Sequence, residues 1–147
     1  MSTKETLEFL TESVQKWQKI ELASVTMARK SKEKTDNPLL LIVLEILERD
    51  SEYHHRLQQV LLEALENGTL PLKPEDVGLL SDLIDMHHKV EKDVIEIGRS
   101  CRGALGDQGG FVLPKFILDY LINDEEKHDA LLDGLAKVKS GMYPYGG

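Results

Sequence analysis

What most limits the folds open to this chain is the placement of its helix breakers: no proline or glycine occurs before Pro38. Proline lacks the N–H that a helix interior needs, and glycine loses more backbone freedom on ordering than any other residue. A stretch free of both and rich in Leu, Glu, Lys and Gln can run as one uninterrupted helix. The later breakers come in clusters, at Asn67-Gly68, Pro71 and Pro74, at Gly106-Asp107-Gln108-Gly109-Gly110, and at Pro114. They divide the chain into four predicted helices, at about 3–32, 38–66, 75–104 and 114–140. Asp36 and Asn37 are natural N-caps before a first-turn proline, and Asn67-Gly68 is a natural helix stop. No stretch shows strand alternation. The expected fold is all-α, a single domain of residues 1–147 built as a four-helix bundle from two helical hairpins.

Each predicted helix carries a stripe at steps of four and three. Helix 1 gives Leu7, Leu10, Val14, Trp17, Glu21, Ser24 and Ala28; helix 2 gives Val43, Leu47, Asp50, His54, Leu57 and Leu61. Helix 3 gives Val77, Leu80, Ile84, His87, Glu91, Val94 and Gly98; helix 4 gives Ile117, Leu121, Asp124, His128, Leu131 and Leu135. All four are apolar towards their ends and carry acids or histidines in the middle. Burying such groups without partners costs several kcal/mol, on the order of 2–7 for a neutral polar group and more for a charge. Their coincidence in mid-helix therefore points to a common layer that satisfies them.

The stripes also repeat. Helix 4 matches helix 2 at an offset of 74 residues, with Asp124-Glu125-Glu126-Lys127-His128 over Asp50-Ser51-Glu52-Tyr53-His54. Helix 3 matches helix 1 at an offset of 70, which places Glu91 over Glu21. Two hairpins related by an approximate twofold are expected.

The formal net charge of -8 argues against nucleic acid and against an anionic membrane surface as partners. The single cysteine, Cys101, excludes an intramolecular disulfide and reads as a small packing residue of a reducing compartment. Residues 39–47, the most apolar run, are too few to span a bilayer, and Met1 leads into polar sequence without a secretory leader. A cytoplasmic protein is expected.

Glu21, Glu91 and Glu125-x-x-His128 supply most of a di-metal carboxylate set, in which carboxylates bridge two cations and an imidazole three residues on caps each metal. Over essentially its whole length the chain resembles the ferritin-like superfamily, and within it the rubrerythrin-like branch. That resemblance implies non-haem iron, one or two ions, with manganese or zinc as alternatives, and oxidoreductase or peroxidase chemistry towards dioxygen or peroxide, or iron handling. It also implies a separate electron-donor protein, since no Cys-x-x-Cys is present. A homodimer is expected. The metal ligands are expected among Glu21, Asp50, His54, His87, Glu91, Asp124, Glu125 and His128, with His87 a ligand or a hydrogen-bond partner of Glu91. Helix 2 departs from the pattern. Its repeat and stripe select Ser51-x-x-His54, with serine in place of a glutamate, whereas Glu52-x-x-His55 fits the family spacing but falls on the solvent side. His55 and His88 lie off the stripes and are expected at the surface. The alternative function is a non-catalytic helical interaction module that keeps a buried acid–histidine network for structural specificity.

Overall fold

The computed structural model describes residues 2–67 and 73–142. They form four long helices and no strand: α1 (Thr3–Lys32), α2 (Pro38–Asn67), α3 (Pro74–Leu105) and α4 (Val112–Met142). The all-α class and the number of helices agree with the sequence expectation, and the helix bounds differ from it by no more than two residues. The chain divides into two compact units, Met1–Pro71 and Leu72–Gly147, one pairing α1 with α2 and the other α3 with α4. The connection at 68–72 falls outside the described residues, as does the tail beyond 142.

The helix starts are set by local side chains that take up the free N–H groups of the first turn. Ser2 and Glu5 form a reciprocal capping box at α1. Asn37 Oδ1 accepts from the backbone N–H of Leu39 at 3.0 Å and of Leu40 at 3.1 Å, capping α2 ahead of the proline-led turn. At α3 the Lys73 N–H donates to Asp76 Oδ2 at 3.1 Å. The same helix ends at Gly106, whose φ of 53° and ψ of -138° lie in a region closed to residues with a Cβ. Its N–H reaches back to the carbonyls of Arg102 and Gly103.

Each hairpin buries a narrow seam. On α1 it runs through Val14, Gln18, Glu21, Val25 and Ala28, and on α3 through Ile84, His88, Glu91, Ile95 and Gly98, position for position at the offset of 70. Val14, Val25, Ala28, Ile84 and Ile95 are at most 8% exposed. At Gly98 the helices come so close that a Cβ would lie 3.0 Å from Ile122 Cγ1.

The α2 seam corrects the predicted stripe. Glu48, Ser51 and Gln58 are buried with Leu44 and His55 beside them, while Leu47, Leu57 and Leu61 are 52%, 63% and 41% exposed. The expected stripe runs along a face about 100° round the helix from the seam. Two adjacent stripes share one 3.6-residue period, and the leucine-rich one is not the one that meets α1. Glu48 and Ser51 are held by cross-helix bonds. Glu48 receives Arg29 Nε at 2.6 Å and also Lys32 Nζ, so Lys32 turns towards the seam. The Lys32 hydrogen bond, then that of Arg29, holds the Glu48 carboxyl below the usual range against the opposing effect of burial. Cys101 is exposed and is not a packing residue within its hairpin.

Candidate metal centre

Glu91 projects from the middle of the α3 seam, and Glu125 and His128 stand one turn apart on α4 opposite it. The i, i+3 spacing puts the α4 pair on one side of the helix. One ligand atom from each of the three residues lies within 4.8 Å of the others. His128 Nδ1 lies 3.5 Å from Glu91 Oε1 and 3.5 Å from Glu125 Oε2. A first-row ion bound at about 2.1 Å by tetrahedrally placed ligands holds those ligands about 3.4 Å apart, so His128 Nδ1 already stands at that spacing from both carboxylates. The other imidazole nitrogen, Nε2, faces Asp124 Oδ2 at 3.4 Å. That contact fixes which nitrogen points to the centre and makes Asp124 an outer partner of the histidine, not a ligand.

The electrostatics are those of a site short of positive charge. Glu91 Oε2 is buried, and no hydrogen-bond donor reaches it among the described residues. The Glu125 carboxyl is pushed above its ordinary value, first by its hydrogen bond with Glu91, then by burial and by the Glu91 charge. Asp124 adds to the rise and His128 opposes it. Two carboxylates and an imidazole brought together without a cation hold on to a proton; a divalent ion neutralises the pair and releases it.

The first hairpin carries the same frame with different fittings. His54 Nδ1 lies 3.3 Å from Glu21 Oε1, the equivalent of the His128–Glu91 contact. Trp17 Nε1 donates to that same Oε1 at 3.1 Å. Ser51, the mate of Glu125, is buried and bonded to Ser24 Oγ at 3.1 Å. Asp50 is half-buried beside the seam. Of the eight expected ligands, Glu91, Glu125 and His128 come together, Asp124 backs them, and Glu21 with His54 form a separate pair in their own hairpin.

His87 is exposed, and it is His88 that occupies the seam, where a surface residue was expected. Its Nδ1 meets Asp129 Oδ1 at 2.8 Å and its Nε2 meets Asp133 Oδ1 at 3.1 Å. His55 is also half-buried, and its carbonyl accepts from Gln18 Nε2 at 3.5 Å. Gln18 and His88 are equivalent under the offset of 70, as are His55 with Asp129 and Gln59 with Asp133 under the offset of 74. Aligning every cross-helix polar pair, and not only the acids and histidines of the stripes, would have found this second polar rung in the sequence. Comparison with family models, with curated proteins and with solved structures gave no match.

Proposed function

We propose that the chain is a metal-binding protein whose α3–α4 hairpin holds non-haem iron, or manganese, for oxygen- or peroxide-linked redox chemistry or for iron handling. The observation that carries this reading is the triad of Glu91, Glu125 and His128, with ligand atoms within 4.8 Å of one another and a buried Glu91 oxygen that no donor among the described residues reaches. Mixed carboxylate and imidazole donors suit Fe(II) and Mn(II), and two glutamates offset the charge of one divalent ion. When bound, ferrous iron would supply one of the two electrons that reduction of an O–O bond consumes, the second coming from the separate electron donor. The chain's own part is to fix the donors, orient the imidazole through Asp124 and give up the Glu125 proton. The alternative, a structural acid–histidine network, draws on His88, whose two nitrogens are both paired with aspartates and free of any metal role.

Metal analysis of protein purified without chelator separates the two. About one ion per chain supports the metalloprotein, and less than about a tenth supports the structural module. Rapid mixing of the ferrous protein with peroxide tests the chemistry. Oxidation faster than that of free ferrous ion in the same buffer is expected, and an equal rate would remove the redox role.

A further inference from the structure

The repeat supplies an internal comparison of the two hairpins that goes beyond the presence of a metal. Under the offset of 70 Trp17 and His87 are equivalent, each one turn before the seam glutamate. In the first hairpin a side chain at this position reaches the glutamate, since Trp17 Nε1 lies 3.1 Å from Glu21 Oε1. An indole N–H is a donor only and has no lone pair for a cation, whereas an imidazole nitrogen can coordinate. At the second position His87 is exposed, and Glu91 Oε2 is buried without a donor among the described residues.

We propose that the α3–α4 hairpin is a mononuclear site with four protein ligands, His87, Glu91, Glu125 and His128, and that the α1–α2 hairpin is its metal-free copy, closed by Trp17 and Ser51. The proposal rests on the metal reading above and adds stoichiometry and a ligand to it. Two carboxylates and two neutral imidazoles balance one divalent ion, and His87 holds the position from which Trp17 reaches the seam glutamate of the first hairpin. In the copy, Glu21 Oε1 is already engaged by Trp17 and His54, and the serine brings no charge. One carboxylate in donor contact does not hold a divalent ion against water. The chain therefore takes one ion, where a di-metal pattern would take two.

Cobalt(II) titration of the full chain tests this by its end point and its visible d–d absorption, which grows as coordination falls towards four. Wild type is expected to bind one ion, with two exchangeable imidazole N–H signals shifted by the paramagnetic ion. His87→Ala is expected to lose one of those signals and at least roughly tenfold in affinity, in keeping with the cost of disturbing a metal's ligand shell. Since His87 is exposed, folding of that variant is not at stake, and circular dichroism checks it. The double variant Trp17→His, Ser51→Glu is expected to bind a second ion. Unchanged affinity and spectrum in His87→Ala, with binding abolished in His128→Ala, would overturn the four-ligand site and leave the metal reading standing. Two ions in wild type would overturn the closed copy. Failure of wild type to bind cobalt, iron or manganese would overturn both the proposal and the reading beneath it.

Discussion

Arg29 Nη2 lies 2.9 Å from Glu52 Oε1 on the outer edge of the first hairpin, and the same pair recurs in the second as Arg99 and Glu126 at 2.7 Å. The two arginines are 70 residues apart and the two glutamates 74, the offsets that relate the seams. Glu52 is therefore an ion-pair residue with a repeat mate of its own, and that mate is not Glu125. The family-like spacing of Glu52-x-x-His55 arises because α2 carries this outer rung one residue after the position facing the centre. Both pairs are well exposed, so each is worth little to stability, of order 0.2–1 kcal/mol. Glu52→Ala and Glu126→Ala are each expected to cost less than about 1 kcal/mol in denaturant unfolding and to leave metal content unchanged. Loss of metal in either variant would show that the outer rung, and not the repeat, defines the ligands.

The raised titration of Glu125 makes a second prediction, in which stability and binding move in opposite directions. Its carboxyl titrates higher in the folded chain than in the unfolded one, chiefly because of the hydrogen bond with Glu91 and burial. The folded state thus holds the proton more tightly, and the metal-free protein loses stability as pH rises from the unfolded value through the raised one. Glu125→Gln keeps a neutral hydrogen-bonding group at all pH. It is expected to stabilise the metal-free protein at neutral pH by roughly 0.5 kcal/mol, the scale of a relieved like-charge pair. The same change should abolish tight metal binding. In wild type, binding should weaken as pH falls through the Glu125 titration and should release a proton, read as a dependence of calorimetric heat on the buffer's ionisation enthalpy.

Glu48 titrates in the opposite sense. Lys32 and Arg29 hold its carboxylate in the charged form, with its titration lowered from 4.5. Its contribution is present in full above the unfolded value and is lost as pH falls through the lowered one. Thermal melts of wild type and Glu48→Gln between about pH 3 and pH 7 are expected to differ most at neutral pH and to converge on acidification. A difference that stays constant with pH would mean that the two cations do not distinguish carboxylate from amide.

Much of this architecture was legible in the sequence because helices announce their limits locally. Asn37, Pro38 and the glycine cluster after Leu105 act on their immediate neighbours, and the helix bounds followed from them. The approximate repeat was legible too, because Asp124 to His128 over Asp50 to His54 is a pattern of residue types. The face of α2 was not. Leu47, Leu57 and Leu61 outweigh Glu48, Ser51 and Gln58 on any hydropathy scale, yet the polar set is buried. Arg29, Lys32 and Ser24 on the neighbouring helix satisfy Glu48 and Ser51, and no single-helix pattern contains that information. His87 and His88 were exchanged for the same reason. Adjacent residues lie 100° apart on the helix, and Asp129 and Asp133 draw the second of them into the seam.

Gln58 is the exception within that satisfied seam. It is 4% exposed, and neither its Nε2 nor its Oε1 has a hydrogen-bond partner among the described residues. An amide buried in this way forfeits its bonds to water, at about 1–3 kcal/mol, while the glutamine stem contributes less apolar surface than a leucine would. Under the offset of 74 its mate in the second hairpin is Leu132, so the frame already accommodates leucine at this position. The volumes of the two side chains are close, and the substitution asks for no rearrangement of the helix pair. Gln58→Leu is expected to stabilise the chain by about 1–2 kcal/mol, raising Tm by several degrees. Metal content should not change, because Gln58 belongs to the other hairpin from the candidate centre. Differential scanning calorimetry of the metal-free protein is the measurement. A variant that melts at or below the wild-type temperature would show that the amide is partnered in solution and that the glutamine is a fitted part of the seam.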